Sequence, residues 1–441
     1  MRIFSASRIV LGAVYIAAFG IVSAAQSEWI YPGADGRLVY KTTPAGDRIL
    51  DFSHAGYRGG GVALPDVPVK VTVQPSGGAD DTAAIQAAVD KVSSMPLENG
   101  FRGAVLLAPG TFTCADTIVL ATSGVVLRGS GSGAGGTTIK MTGRRHGAFL
   151  IGERRRRVSA QPVDDENAGA NAATHPSKPA TAEQNSAAEK GARAEKAFET
   201  TFADAYVPAG TTTFHVTNAK GFTVGDVVLI KRPTSAAWTE HMRMHDLKRD
   251  GRAQNWLGIG RGSVMERTIT AITGNKITVN VPLAESFDLK LLQPTAPTIS
   301  TEKRPARVTN VGIEYLHVQC PPLEIAYSAA PYSGARVDGE DCWLRDIYFE
   351  ETMNTTTFTG RRITAQRIVI THTFPNLGAS KPADFSIEGS QILIDRCAST
   401  GGNTYSVWTS SLSPGPNVVL NSSFRGHGSR IQPHHRWSTG V

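Results

Sequence analysis

Along much of this chain, apolar residues come in short runs of three to five, separated by Gly, Pro, Asn and Asp. An exception comes early. Asp80-Asp81-Thr82 leads into Ala83 to Val89, with an apolar stripe at Ala84, Ile85, Ala88 and Val89. That spacing predicts a helix with an acidic N-cap. In Gly103 to Phe112 a short apolar strand closed by a Pro109-Gly110 turn comes next, then further strands at Thr117–Leu120 and Gly124–Leu127. Short strands every ten residues or so after one helix form a β-rich pattern.

In the last third the pattern repeats. The apolar triplets Ile368-Val369-Ile370, Ile392-Leu393-Ile394 and Val418-Val419-Leu420 start 24 and then 26 residues apart. Strands at Ile313–Val318 and Leu344–Phe349 fit the same scheme with a longer gap. Periods of 20 to 50 residues point to stacked repeats, and strands in place of helices select a parallel β-helix. Asp395 and Asn421, each just after a triplet, predict an Asx ladder at a coil corner.

Two stretches break the repeat. Residues 143–200 carry Arg154-Arg155-Arg156-Arg157 and an Ala-, Glu-, Asn- and Lys-rich tract. So little apolar surface does not offset the entropy of ordering, so this reads as a low-complexity, disordered insertion. Residues 201–292 read as a small antiparallel β domain, with strands at 214–216, 226–230, 268–272 and 276–279 and a hairpin turn at Gly274-Asn275. A loop within it carries Trp238, His241, His245 and Trp256. Those aromatics would either stack on sugar rings or form a small core. At the start, Arg2 and Arg8 precede the apolar run Ile9–Val22 and the small residues Ser23-Ala24-Ala25. This reads as a signal peptide over 1–25 and predicts a secreted or periplasmic protein with no membrane segment after cleavage. The remaining divisions are 26–142, the helix and first coils, and 293–441, the later coils. No closing segment follows Trp437, and an open coil end is an exposed edge, so further coils are expected.

Composition narrows the class. The chain has 441 residues, 41% hydrophobic and 19% charged, with Gly 45 and Pro 24. That is enough for a large core and excludes a collagen-like fibre. A formal charge of +7 suits an anionic partner. The basic residues are scattered apart from the one arginine run, so no nucleic acid is expected. Four cysteines form no CxxC pair, which argues against a zinc site and fits either buried thiols or bridges.

The segments Gly77 to Asp90, Leu107 to Phe112 and Gly124 to Gly131 resemble the pectate-lyase-like superfamily, and within it the rhamnogalacturonase/epimerase-like domain. The resemblance covers residues 50–140. It implies an all-β, right-handed parallel β-helix with an N-terminal capping helix, here carrying the inserted small antiparallel β domain. Members of that superfamily include lyases, hydrolases, epimerases and phage tailspikes, so it does not choose a reaction.

The chemistry is sought on the outer face of the last coils. If Ile431 points inward, Arg430, Gln432, His434 and Arg436 share an outer face, with Tyr405 and Trp408 one coil back. This set suits β-elimination from an acidic, uronate-containing polysaccharide. Arg430 and Arg436 would grip the carboxylate, His434 would take the C5 proton and Tyr405 would protonate the leaving oxygen. Trp408, Gln432, His427, Trp238 and Trp256 are the candidate substrate-binding residues. A glycoside hydrolase, with Asp384 and Glu388 as outward acids, and a non-catalytic glycan-binding or adhesin-like β-helix are the alternatives. Pectate lyases of this fold commonly bind calcium, but neither Asp338, Glu340 and Asp341 nor Glu350 and Glu351 have calcium-loop spacing, so no metal ligand or cofactor is assigned.

Overall fold

The computed structural model describes residues 27–153, 198–253, 257–301, 306–323, 332–374, 383–401, 403, 405–426, 430–433 and 437–440. The segment 1–25 expected to be a signal peptide, the arginine run, His427, His434, Arg436 and Trp256 lie outside them. The expected architecture is present: the parallel β-helix that the repeat selected, right-handed as the resemblance implies, with a helix at its start and an inserted antiparallel domain.

Each complete coil lays down three strands. One coil runs through Arg361–Gln366, Val369–Thr371 and Ala383–Ile387, and the next through Ser390–Asp395, Ala398–Gly401 and Tyr405–Thr409. Val418–Leu420, Ser423–Gly426 and Arg430–Pro433 follow. The strands stack in parallel as three faces, each residue above its counterpart one coil away. Adjacent strands in a sheet lie about 4.8 Å apart. Inward positions form apolar columns, among them Cys342, Ile363 and Ile392; Phe349 and Ile370; and Val337, Phe358 and Ile387, all buried.

The stacking corrects the repeat inferred from the triplets. Ile394 does lie beside Val419, but Val369 pairs with Ala398 on the second face. The partner of Ile392 is Ile363. The triplet at 368 belongs to a different face because a corner separates Gln366 from Val369. At that corner the backbone turns left-handed, and the register stacks Tyr315, Asp346, Arg367, Arg396 and Asn421, with φ of 59, 53, 52, 53 and 50°. The expected Asx ladder is therefore absent: the counterpart of Asn421 is Arg396, and Asp395 faces Leu420. A left-handed non-glycine residue costs about 1–2 kcal/mol. Arg367 offsets part of this by gripping Asp346 with Nε and Nη2, both at 2.6 Å.

The helix forms over Thr82–Ser93 and buries Ile85, Ala88, Val89 and Val92 against the first coil. Ala84 faces solvent, and Val92, one turn beyond Ala88, takes the inward place expected of it. Asp81 ties the helix to the sheet by accepting the Ser76 and Thr113 amides, both at 2.9 Å. The strand Gly103–Leu107 ends before the Pro109-Gly110 turn as expected, and a second strand, Gly110–Cys114, follows on a different face.

The low-complexity reading began too early. Gly147–Ile151 is a strand of the third face with Ala148, Phe149 and Ile151 buried, so the coils run to at least 151. The antiparallel sheet likewise extends to Thr301, because Thr298–Thr301 lies between Glu199–Thr201 and Val227–Pro233. Its expected hairpin forms, Thr273 pairing with Lys276. Buried polar contacts join this domain to the last coils. Arg267 Nη2 donates to the Gly415 carbonyl at 3.1 Å, and Glu285 accepts from Trp437 Nε1 at 2.9 Å and Arg232 Nε at 2.7 Å.

The four cysteines are buried and unbridged, and burial pushes each thiol up to about 12. They pack as small apolar groups.

On the outer side of the first face, Trp343 is fully buried beneath Tyr57 and Val67. Its indole lies where a Cβ on Gly312 would fall, 2.1 Å away, which is why that position has no side chain. Trp343→Ala is expected to lower unfolding free energy by about 3–5 kcal/mol, read from denaturant midpoints. A loss under about 1 kcal/mol would mean the N-terminal segment does not rest on this indole.

Candidate functional site

The register brings together the described members of the predicted site. Tyr405 pairs with Arg430 and Trp408 with Gln432 on adjacent coils, and the Arg430 guanidinium lies 5.9 Å from the Tyr405 ring centre. The adjacency expected of residues one coil apart is present, but the presentation is different. Tyr405 and Trp408 are each only 6% exposed and pack with Ala383. Rings buried in this way offer no face to a sugar. Ile431 pairs with the buried Val407 but is itself 54% exposed, so the tight inward seat assumed for it is not formed.

Trp238 is corrected in the same way. It sits in a short helix, Ala236–His241, and is 7% exposed, wedged edge-on against Trp437 with the Arg232 guanidinium over its ring at 4.2 Å. It belongs to the domain's core, not to a sugar-stacking loop. The expected outward Asp384 is buried too: its Oδ1 lies 2.8 Å from His372 Nε2 and accepts from Asn403 Nδ2 at 2.7 Å. Glu388 stands 4.0 Å from Arg336. Arginines engage the acidic group at 338–341, since Glu340 meets Arg361 at 2.8 Å and Asp341 accepts from Arg362 Nε at 2.7 Å.

Chemistry open to solvent gathers elsewhere, on the outer side of the second face. There the register aligns Thr111, Thr138, His317, Tyr348, Val369, Ala398 and Ser423 in one row. Thr113, Lys140, Gln319, Glu350, Thr371, Thr400 and Arg425 form the row beside it. All are half-buried or exposed. Strand alternation places them there. In Leu316-His317-Val318-Gln319 and Ile347-Tyr348-Phe349-Glu350 the apolar residues turn in and the others out.

His317 is the centre of this surface. Its ring stacks on Tyr348 with centroids 4.5 Å apart and planes 17° apart. Nε2 lies 2.9 Å from Glu350 Oε2, off the line of a well-aligned hydrogen bond, and Nδ1 lies 3.5 Å from Thr138 Oγ1. Gln319 Nε2 donates to the same Glu350 oxygen at 3.0 Å, and the Tyr348 and Thr371 hydroxyls bond at 2.8 Å. Burial lowers the imidazole below its ordinary 6.5 against the opposing pull of Glu350, so at neutral pH it is an uncharged base. Lys140 sits one coil back and two residues along from Thr138, the neighbour of His317.

The sequence reading missed His317, Tyr348, Glu350 and Gln319 as a group. Both strands were legible, and period-two alternation across them would have exposed the four. Among the described residues no group of three or more His, Cys, Asp or Glu side chains is arranged to hold a metal.

No family model and no curated protein matches the chain. Among solved structures it is similar to the tailspike protein gp49 from Pseudomonas phage LKA1, at 14% identity and a TM-score of 0.36 over 78% of this chain and 44% of that one. It is similar also to the Gp54 tailspike of Acinetobacter baumannii bacteriophage AP22, solved in complex with A. baumannii capsular saccharide. There the identity is 11% and the TM-score 0.34, over 79% of this chain and 44% of that one. The tailspike gp61 of Pseudomonas phage phi297 matches at 12% and 0.32, over 79% and 58%. The chain thus spans about half the length of these proteins, and likenesses so distant carry no functional assignment.

The His317 environment has a measurable consequence. Its pKa is lowered on folding, so the unfolded chain takes the proton more readily below 6.5. The native state is then expected to lose stability as pH falls through 6.5 and towards the folded pKa, and His317→Gln removes that part of the loss. Denaturant midpoints from pH 7.5 to 5 test this; identical pH slopes in both proteins would refute it.

Proposed function

We propose that this chain is an exported, carbohydrate-active β-helix that cleaves an acidic polysaccharide by β-elimination, with the polymer lying along the second face. The observation that carries this reading is the uncharged His317 imidazole, held by Glu350 and stacked on Tyr348 on a face whose side chains repeat coil by coil. The superfamily likeness of residues 77–131 and the apolar export segment Ile9–Val22 point the same way.

Elimination from a uronate needs a base for the C5 proton and a cation that lowers the energy of the enolate-like intermediate. His317 supplies the base. Exposed Lys140 is the nearest cation in the adjacent row and would meet the carboxylate. The proton passes to the imidazole, the C5–H electron pair becomes the second bond of C4=C5, and the C4–O bond breaks with its electron pair going to the departing oxygen. That oxygen then takes a proton from the imidazolium, which restores the base. Hydrolysis asks for two carboxyl groups across the scissile bond. Here Glu350 is drawn to His317 and Gln319, and Glu351 accepts the Thr373 amide at 2.7 Å. Elimination is therefore the better fit.

A panel of acidic and neutral polysaccharides incubated with the purified chain tests the reading. Ultraviolet absorbance from unsaturated uronate ends is expected with an acidic polymer. His317→Ala is expected to lower kcat by about 10²- to 10⁴-fold while leaving the fold intact at pH 7. New reducing ends without absorbance would make the chain a hydrolase, and saturable binding without cleavage a glycan-binding protein. Full activity in His317→Ala with loss in His434→Ala would move the chemistry to the last coil.

A further inference from the structure

We infer that Glu350, itself tethered by Gln319, is a positioning residue that holds His317 in the tautomer protonated on Nε2, so that Nδ1 carries the reactive lone pair. The inference rests on the proposed role of His317 as base, and it adds which ring nitrogen acts and what selects it.

A neutral imidazole has one N–H and one lone pair, and the groups facing each nitrogen decide which is where. Nε2 is buried and stands 2.9 Å from the Glu350 carboxylate oxygen. A lone pair pointed at that oxygen would be repelled, whereas an N–H is attracted even when imperfectly aligned. Among the described residues no carboxylate stands against Nδ1; its neighbour is the Thr138 hydroxyl at 3.5 Å, a group able to donate to a lone pair. The Tyr348 ring lies flat against the imidazole and restricts its rotation, which keeps the two nitrogens from exchanging places. Gln319 completes the arrangement, since its amide donates to Glu350 Oε2, the oxygen that faces Nε2. Gln319 is two residues from His317 on the same strand, and Tyr348 and Glu350 are their counterparts one coil on, so one pair of adjacent strands builds the whole device.

The consequence is directional. The C5 proton is transferred to Nδ1, the positive charge spreads over the imidazolium, and Glu350 stabilises it through Nε2–H. Substituting Glu350 by Gln keeps size and shape but removes the charge that both selects the tautomer and favours the protonated ring.

The test uses the full chain labelled with ¹⁵N on histidine, with the His317 signals identified by their loss in His317→Gln. Wild-type His317 is expected to show the Nε2–H tautomer above its pKa. In Glu350→Gln the ring should become a tautomer mixture and titrate at lower pH. With a substrate that is turned over, the acid limb of the kcat/KM profile should move down with it, while kcat falls by at least about tenfold. An Nδ1–H tautomer in the wild type, or an unchanged tautomer and pKa in Glu350→Gln, would overturn the inference. If that variant does not fold, Gln319→Leu leaves the carboxylate untethered and should shift the same signals less far; no shift there counts against it equally. Should the tautomer and pKa respond as stated while no polysaccharide is cleaved, the positioning role stands and the catalytic reading fails.

Discussion

The coil-to-coil register governs this molecule. Paired residues of adjacent coils lie about 4.8 Å apart, so a side chain's neighbours are distant in sequence: 21 positions for Arg345 with Gln366, 31 for His317 with Tyr348 and 179 for His317 with Thr138. Inside, this stacks like on like into apolar columns that exclude water along the axis. Outside, it builds rows whose chemistry is set by what each coil contributes. Neither the buried core nor the His317 surface exists in any single coil.

The same register concentrates strain, and relief, at the corners. A left-handed residue recurs at two corner columns, one through Asp346, Arg367 and Arg396, the other through Asn310, Asp341, Arg362 and Gln391. Stacking puts arginine directly beside aspartate in both, and the resulting forked contacts hold the bends in line. Carboxylates that look available in the sequence are thereby spent on structure. The group at Asp338, Glu340 and Asp341 is one such case.

The inserted domain is anchored, not tethered. Arg267 and Glu285 reach from it into the last coils through buried contacts, and Trp238 with Trp437 fills the space between. Buried polar groups left unpaired are expensive, so these contacts fix how that joint fits together. The tryptophan that sequence alone offered to a sugar is the wedge of this joint. The second face keeps its own chemistry, where His317 is half-buried and burial lowers its pKa.

Much of the architecture was readable from the sequence because it rests on local rules. Alternating apolar positions made the strands, the 80–92 segment made a helix with a buried stripe, Gly274-Asn275 made a hairpin, and the recurrence of short strands made a solenoid. Even the nearness of Tyr405 to Arg430 followed from the repeat length. What sequence could not decide was how far each coil runs before a corner, because a left-handed Arg396 or Tyr315 carries no local signal of the turn it makes. That uncertainty put the 368 triplet on the wrong face and Asp395 at a corner that Arg396 occupies. Exposure was also beyond it. Tyr405, Trp408, Asp384 and Trp238 are residues of the kind that bind and catalyse, yet stacking and docking bury them, whereas His317 gains its partners only when Glu350 and Tyr348 arrive from the next coil. Local pattern determines which residues form strands; the long-range register alone determines which of them meet, and which remain in contact with water.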